Sequence, residues 1–380
     1  MKNALIVLIQ QLLKLFFVFP IKKDRIFFSA YSGKSYSCNP KYICQKLIEE
    51  DSHGKLEIIW AFSNREAHRY LEPRIRTVKF KSFSYIYYLL TSHVVVDNVE
   101  SWSILPKRKG QLVINTWHGG GSYKGVGLMR RDSSEGTDRN MLRKNQRISL
   151  YLSSSEAFTQ QTLRESFHYE GDVLECGMPR NDILIHHTKT EERQIRERLG
   201  FGEDEKLVLY APTFRSDSSY QYQLDSNAVI QALEERFGGT WVMLMRSHYY
   251  RKSIEDENPN VMDVSAYEDM QELLMISDVL ITDYSSSIWD FSLMYRPAFL
   301  FTPDLYQYSE ERDFYSPIEE WPYPNAQTLY DFIVLIHKYD WETSLSRIHA
   351  HHEKLRSFET GDASHAVLME ILSFLRNNTN

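Results

Sequence analysis

A histidine followed by three glycines stands at the end of a short apolar run, in the segment Asn115–Gly121. Glycine has no side chain, so the backbone N–H groups of Gly119, Gly120 and Gly121 can approach a phosphate closely. The adjacent His118 has a reference pKa near neutrality and could accept a proton from an attacking hydroxyl. The alternative is a glycine turn that carries an incidental histidine, and this segment alone does not decide between the two.

A second polar cluster, Asp283–Asp290, follows the apolar run Val279–Thr282. Ser285 and Ser286 could cap the helix that the pattern predicts over Ser286–Met294. Unpaired N–H groups and hydroxyls at such a helix start form an anion site, for which a pyrophosphate is the natural occupant. The alternative is plain N-capping, which needs only one of these residues. No G-x-S-x-G elbow surrounds the serines, which argues against a serine nucleophile.

Polar residues also follow three further predicted strands, in the segments Gly177–Asp182, Tyr210–Arg215 and Met245–His248. Each segment contributes a cation or a hydroxyl at a strand end, where parallel α/β sheets bind their ligands. For any one of them a solvated loop charge is the commoner explanation. Because the same polarity recurs at five strand ends, we interpret the five segments together as a site for a phosphate-bearing ligand.

Short apolar runs rich in β-formers alternate with helical patterns along almost the whole chain. The order of strand, helix and strand predicts parallel sheets with helices on both faces. Eleven strands are too many for one ordinary doubly wound sheet, so we predict two such α/β domains, joined near His186–Arg198. The predicted strands are Ile26–Tyr31, Leu56–Phe62, Val94–Asp97, Leu112–Trp117, Leu150–Ser153, Val173–Cys176, Leu207–Ala211, Trp241–Arg246, Val261–Val264, Val279–Thr282 and Ala298–Phe301. The predicted helices include Asn39–Glu50, Ala157–Phe167, Glu191–Leu199, Ala228–Phe237 and Tyr267–Ile276.

Charge is distributed unevenly along the 380 residues, whose net charge is -7. Residues 1–150 carry 25 Lys and Arg against 12 Asp and Glu, and the rest of the chain is acidic. The basic part suits an anionic partner such as a phospholipid surface or a phosphate polymer, although divergence of two related halves could produce the same imbalance. The acidic part argues against nucleic acid. Three cysteines fit neither a disulfide framework nor a clustered zinc site, which indicates a reducing compartment.

The first twenty residues are apolar, but Gln10, Gln11 and Lys14 interrupt the run that a spanning helix needs. These three residues fall on one face of a helix, with apolar residues around the remainder. We predict that residues 1–24 form an interfacial membrane helix and its basic flank, and that the cations Lys22, Lys23 and Arg25 after the helix meet anionic lipid. The alternative is a helix buried in the core of the first domain, with Leu5, Leu8, Leu12 and Phe16 packed inside. No cleavage site of a signal peptide follows the run.

The ordered motifs T-W-H-G, G-x-P-R-N-D, Y-A-P-T-x-R, R-x-H and T-D-Y-S-S-x-x-x-D resemble the CDP-glycerol glycerophosphotransferase family of teichoic acid and capsule synthesis. The resemblance covers about residues 25 to 330. It implies a GT-B fold, in which two Rossmann-like domains face a central cleft, and peripheral attachment to the cytoplasmic face of the membrane. It implies an acceptor and catalytic domain at 25–190, and a CDP-donor domain with a helical tail at 191–380. The implied substrates are CDP-glycerol or a related CDP-polyol and an undecaprenyl-linked saccharide or polymer; no cofactor and no metal site are implied.

Carried over motif by motif, the resemblance makes His118 the general base. It implies that His248 neutralises the charge of the departing CMP phosphate or of the transferring phosphate. The residues implied to bind the substrates are Trp117, Gly119, Gly120, Gly121, Arg180, Pro212, Thr213, Arg246, Ser247, Ser285, Ser286 and Asp290. Arg180 and Arg246 suit the pyrophosphate, because a planar guanidinium can bind two oxygens. The chain departs from the family at Gly120 and Gly121, where many members have Thr-Pro. The identity of the transferred polyol phosphate is therefore less constrained than the reaction type.

Two other functions compete with this one. A GT-B glycosyltransferase that uses a nucleotide sugar could carry the Glu-x7-Glu spacing of Glu311 and Glu319, although Pro317 interrupts it. A non-catalytic adaptor could keep the fold, but the retained histidines and serines argue against it. We expect the remaining histidine cluster, His349, His351 and His352, to be exposed rather than to bind a metal.

Overall fold

The computed structural model describes residues 2–99, 105–130, 141–213, 215, 224–246 and 258–377. The chain forms two compact units, each built around one parallel sheet. The first unit contains Met1–His118, Ser133–Asp182 and Phe358–Asn380, and the second contains Gly119–Asp132 and Ile183–Ser357. This confirms the predicted fold class, two doubly wound α/β domains of the GT-B type.

The sheet of the first unit has seven parallel strands, and one of its interior strands is buried on both faces. Ile26, Phe27 and Phe28 have no exposed surface, which explains the continuous apolar run in this strand. The strands are β1 (Lys22–Ser29), β2 (Glu57–Phe62), β3 (Ile75–Lys79), β4 (Ser92–Asp97), β5 (Leu112–Asn115), β6 (Leu150–Ser153) and β7 (Asp172–Glu175), in the order β3-β2-β1-β4-β5-β6-β7. The helices are α1 (Lys2–Leu13), α2 (Cys38–Glu50), α3 (Phe83–Thr91) and a π-helix at Phe158–Ser166, with 3-10 turns at Lys14–Val18, Glu66–His68 and Pro179–Asn181.

The second unit has six parallel strands, with a core that includes Trp289 and Trp321. The strands are β8 (Lys206–Tyr210), β9 (Trp241–Met245), β10 (Val261–Asp263), β11 (Val279–Thr282), β12 (Ala298–Phe301) and β13 (Asn325–Ala326), in the order β10-β9-β8-β11-β12-β13. From residue 182 onward the helices are, in chain order, α4 (Asp182–His186), α5 (Lys189–Leu199), α6 (Ser226–Phe237), α7 (Met270–Ile276), α8 (Ser287–Ser292), α9 (Leu305–Glu311), α10 (Leu329–His337), α11 (Trp341–Leu355) and α12 (Ala363–Asn377). The second unit also has 3-10 turns at Gly127–Met129 and Ile318–Glu320.

The C-terminal helix α12 belongs to the first unit. Its Val367, Leu368 and Ile371 are buried in the core of that unit. Asp182 caps its start, since the carboxylate accepts the N–H groups of Ala363 at 3.0 Å and Ser364 at 2.7 Å. The chain therefore returns to the first unit at its end, which differs from the continuous division at residue 190 expected from the sequence.

The N-terminal helix α1 lies at the surface. Leu8 and Leu12 are 56% and 57% exposed, so the alternative of a buried core helix is wrong for these residues. Arg25 is also not a surface cation: it is buried and its Nε donates to Glu57 at 2.8 Å, because β1 runs into the sheet core at this residue. Within the described ranges, the chain forms no helix with the length and apolarity needed to cross a membrane.

Candidate active site

The turn after β5 fixes His118 in the first unit. The Asn115 side chain at the end of β5 accepts the Trp117 N–H at 2.8 Å. Trp117 has a φ of 51°, in the left-handed region, so the chain turns sharply just before the histidine. The His118 ring lies 4.3 Å from the Trp117 ring and 5.6 Å from the Tyr31 ring, measured between centroids. Two aromatic side chains therefore restrict the orientation of the imidazole.

A single hydrogen bond determines which ring nitrogen of His118 is basic. Nδ1 lies 2.8 Å from the backbone carbonyl oxygen of Asn98. A carbonyl oxygen can only accept, so Nδ1 carries the proton and Nε2 holds the lone pair of the neutral ring. The side chain is half-buried. This tautomer is the one that a general base acting through Nε2 requires.

Asn39 joins the histidine turn to Arg180 within the first unit. Its Nδ2 donates to the carbonyl oxygens of Thr116 at 3.3 Å and Trp117 at 3.2 Å, while its Oδ1 accepts the Arg180 N–H at 3.1 Å. Arg180 is 2% exposed. Two segments that the sequence predicted separately, T-W-H-G and G-x-P-R-N-D, are thus linked by one amide. Asn39 carries no motif in the sequence, where its one distinguishing feature is its place in the first turn of α2.

In the second unit, Asp283 joins the segments that follow strands β8 and β11. Its Oδ1 accepts the Thr213 N–H at 2.8 Å, and its Oδ2 accepts Nη2 of Arg215 at 2.9 Å. Arg215 also donates to Asp304 through two nitrogens, at 2.6 and 3.0 Å. Burial by itself would lower the pKa of the guanidinium, but the bonds and charges of Asp304 and Asp283 raise it well above its ordinary range. The buried ion pairs fix the backbone at Thr213.

The serine cluster forms the turn into helix α8. The Ser285 Oγ accepts the Ser287 N–H at 3.3 Å and lies 3.0 Å from the Ser287 Oγ. Ser286 is the residue before the helix, and its side chain makes no capping hydrogen bond. Asp290 is buried, and its Oδ2 accepts Nε2 of Gln271 at 3.0 Å. Ser285 and Ser286 therefore stand at the helix start, whereas Asp290 points into the unit.

Arg246 lies directly after β9, at the strand end where the sequence predicted it. Its backbone N–H donates to Tyr210 O at 2.9 Å, and its Nη2 lies 3.4 Å from Glu268 O. Pro212 lies two residues after β8 and is half-buried. Ser247 and His248 lie outside the described residues.

Gly120 and Gly121 pack in the second unit against Trp289 of α8. The ring of His352 also stacks on this tryptophan, at a centroid distance of 4.5 Å. His351 is buried and His352 is half-buried, so the expectation of exposed histidines is wrong for these two. The reason is that one face of α11 packs against the core of the second unit.

Lys124 is a further charged residue near this loop that sequence analysis did not single out. Its pKa is lowered to about 8, with burial as the largest cause; Arg312 and Arg215 act in the same direction, and Asp283 opposes them. Its backbone pairs with Phe314 in an antiparallel bridge. The sequence feature that could have drawn attention to it is that Lys124 is the only charged residue between His118 and Arg130.

The described residues contain no group of three or more His, Cys, Asp or Glu side chains that could hold a metal ion. The three cysteines, Cys38, Cys44 and Cys176, are all free thiols. At the strand ends the described side chains provide histidine, arginine and hydroxyl groups, which is the chemistry needed to bind phosphates and move a proton.

The sequence model of one protein family matches residues 11–373, which is nearly the whole chain. That family is described as CDP-Glycerol:Poly(glycerophosphate) glycerophosphotransferase. The chain belongs to this family. The enzyme class expected from the motifs, a glycerophosphotransferase that uses CDP-glycerol, is thereby confirmed.

The transferase is similar to curated relatives along almost its full length. It is 31% identical to the teichoic acid poly(glycerol phosphate) polymerase of Bacillus spizizenii, over 93% of each chain. It is 30% identical to the teichoic acid ribitol-phosphate primase of the same organism, over 94% of this chain and 92% of the relative. A solved structure of a variant of the wall teichoic acid polymerase TagF, soaked with CDPG, matches with a TM-score of 0.84 and 27% identity, over 100% of this chain and 97% of that one.

Proposed function

We propose that this transferase moves glycerol phosphate from CDP-glycerol onto a hydroxyl of a lipid-linked saccharide or growing teichoic acid polymer and releases CMP. The family gives the enzyme class, and the geometry of His118 gives the proposal its chemistry. The hydrogen bond from Nδ1 to Asn98 O is the observation that carries the proposal, because it leaves Nε2 as the basic nitrogen.

In the proposed step the acceptor hydroxyl oxygen attacks the phosphorus that bears the glycerol. A new P–O bond forms to the acceptor, the P–O bond to CMP breaks, and CMP leaves with its electron pair. His118 takes the hydroxyl proton on Nε2 as the attack proceeds. The reaction is a phosphoryl transfer, in which positioning and charge stabilisation provide most of the catalysis.

Arginine and serine side chains are assigned to the phosphate charge of the donor. Arg180 and Arg246 each present a guanidinium, a group that can bind two phosphate oxygens at once. Ser285 and Ser286 add hydroxyls at the turn into α8. We assign Asp290 to joining α8 to α7 rather than to the donor, because its carboxylate accepts a hydrogen bond from Gln271 in the interior. Pro212, Thr213, Ser247 and His248 remain proposed donor contacts.

The proposed location is the cytoplasmic face of the membrane, with peripheral attachment through the N-terminal residues. Leu15 and Val18 are 72% and 80% exposed, and the cations Lys22 and Lys23 follow on the surface. Exposed apolar residues with flanking cations suit an interfacial segment at an anionic membrane. Three free cysteines are consistent with a reducing compartment.

Turnover with competing donors tests this function. Purified enzyme and a lipid-linked acceptor are incubated with CDP-glycerol, CDP-ribitol or a nucleotide sugar, and CMP release and product mass are followed. The proposal expects CMP and a product heavier by whole glycerol phosphate units with CDP-glycerol alone. Turnover restricted to CDP-ribitol would correct the transferred group, and turnover with a nucleotide sugar alone would refute the proposal.

A further inference from the structure

The glycine loop after His118 has no room for a side chain at its second or third glycine. A Cβ atom added to Gly120 would lie 2.6 Å from Trp289 Cδ1 and 3.0 Å from Trp289 Nε1. A Cβ added to Gly121 would lie 2.5 Å from Tyr123 Cε2 and 2.7 Å from Trp289 Cε3. Carbon atoms in a packed interior approach to about 3.5–4.0 Å, so both contacts would be severe clashes. The loop backbone therefore rests directly on the indole.

Trp289 cannot easily move away, because its ring is packed in the core and against a second ring. It is fully buried in α8, and the His352 ring stacks on it with an interplanar angle of 27°. The Ser292 hydroxyl donates to Trp289 O at 2.6 Å, so it must accept from His352 Nε2, 2.7 Å away. This bond holds the imidazole in place against the indole.

Tyr123 provides the second support of the loop. Its hydroxyl lies 3.0 Å from His351 Nε2, and the two rings are nearly parallel at 7°. Its ring also meets Trp289 edge-on, with centroids 6.5 Å apart. Trp289, Tyr123, His351 and His352, which we call the aromatic platform, thus join α8 and α11 beneath the glycine loop.

We propose that Trp289 is a positioning residue for the glycine loop, Gly119–Gly121, and that the aromatic platform makes glycine necessary at position 120. His118 is joined by a peptide bond to Gly119, the residue at which the chain enters the second unit. The path of Gly119–Gly121 over the indole therefore restrains the direction in which the chain leaves His118. This inference rests on the proposed role of His118 as the base. A misplacement of about 1 Å in a reacting group can cost on the order of 10²-fold in rate.

Gly120 gives the cleaner test of the two glycines. Its φ lies outside the left-handed region, so alanine can adopt its backbone, whereas Gly121 has a φ of 74°. Any loss in Gly120→Ala therefore arises from contact with Trp289. Gly202→Ala is the matched control, because a Cβ there meets nothing closer than Glu205 Oε2 at 3.5 Å, an ordinary contact.

The experiment is a double-mutant cycle on the full chain, with single-turnover rates at saturating CDP-glycerol. Gly120→Ala should lower the rate by about 10- to 100-fold. In the Trp289→Val background, which removes the clashing ring atoms, the same substitution should cost less than about threefold. An equal cost in both backgrounds, or a Gly120→Ala enzyme within threefold of wild type, would overturn the proposal.

Hydrogen exchange of the peptide 119–125 gives a readout that does not depend on chemistry. Its amides should exchange faster in Trp289→Val and close to the wild-type rate in Trp289→Phe, which keeps a ring on His352, and in Gly202→Ala. Unchanged exchange in Trp289→Val would show that the aromatic platform does not support the glycine loop. A His118→Ala enzyme of wild-type rate would instead refute the base, while the exchange result would still report on Trp289.

Discussion

Asn39 fixes the geometry of the histidine turn and of Arg180 within the first unit. It holds two carbonyl groups of the histidine turn and the backbone of Arg180 at once. Asn39→Ala should lower the free energy of unfolding by about 1–3 kcal/mol, since buried groups lose their partners. It should also slow single turnover, because the histidine turn loses an anchor. Urea denaturation and rapid-quench rates measure both effects, with the exposed Asn227→Ala as control; no change in either would contradict this role.

Arg246 and Ser286 are assigned to the donor pyrophosphate in the second unit. Arg246→Ala and Ser286→Ala should each weaken CDP binding, by about 1.5–3 kcal/mol for a charge-assisted contact, or one to two decades in Kd. Arg198→Ala, which removes an exposed arginine of the same unit, should leave the affinity unchanged. Calorimetric titration with CDP decides the point, and wild-type affinity in both variants would move the nucleotide site elsewhere.

At the residue scale the sequence identified groups with chemistry but not the groups that orient them. His118 and Arg180 could be recognised from their types and motifs. Asn39, Asn98 and Asp283 could not, because their contacts reach residues between 20 and 141 positions away in the chain. A carbonyl oxygen that selects a histidine tautomer leaves no mark in the sequence at all.

At the element scale, continuous apolar runs predicted the central strands well. Strands β6, β11 and β12 have the predicted bounds. Strands β3 and β13, both at sheet edges, were missed because their apolar patterns are short: β3 has buried residues only at Ile75 and Val78, and β13 has two residues. Edge strands are covered on fewer sides, so they need fewer apolar residues and give a weaker pattern.

Helix α11 should make stability depend on pH, because its two packed histidines resist protonation. The pKa values of His351 and His352 are lowered to about 4, with burial as the largest cause. Neighbouring charges, including that of Lys354 beside His351, contribute the smaller part of this shift. Between pH 6.5 and 4 the unfolded chain binds protons that the folded chain does not, so the free energy of unfolding falls as the pH falls. Each histidine contributes a slope of about 1.4 kcal/mol per pH unit in that window.

Urea denaturation at pH 7 and pH 5 measures this slope. His352→Gln should reduce the difference between the two pH values, because one titrating group is removed. The exposed His365→Gln is the matched control and should keep the wild-type difference. Equal differences in all three proteins would show that the histidines of α11 do not cause the pH dependence.

At the scale of the whole molecule, family and architecture followed from five ordered motifs and the alternation of strands and helices. The placement of α12 in the first unit did not, because it depends on which core offers space for Val367 and Ile371. An amphipathic helix carries the same pattern whichever core it packs against.

Membrane attachment is also a property of the whole molecule. Leu8→Ser with Leu12→Ser should weaken binding to anionic liposomes at every salt concentration, since these exposed side chains would enter the interface. Lys22→Glu with Lys23→Glu should weaken binding mainly at low salt, where each cation contributes about 1 kcal/mol. Flotation across a salt series separates the two contributions. Complete release of the wild-type enzyme by high salt would contradict insertion of apolar side chains.

The single-turnover rate of His118→Ala tests the central claim most directly. Loss of a general base should lower this rate by about 10²–10⁴-fold, while calorimetry should still detect CDP binding close to the wild-type affinity. His365→Ala, which removes an exposed histidine of the first unit, should keep the full rate. A His118→Ala rate within about threefold of the wild type would show that another group accepts the proton and would contradict the account.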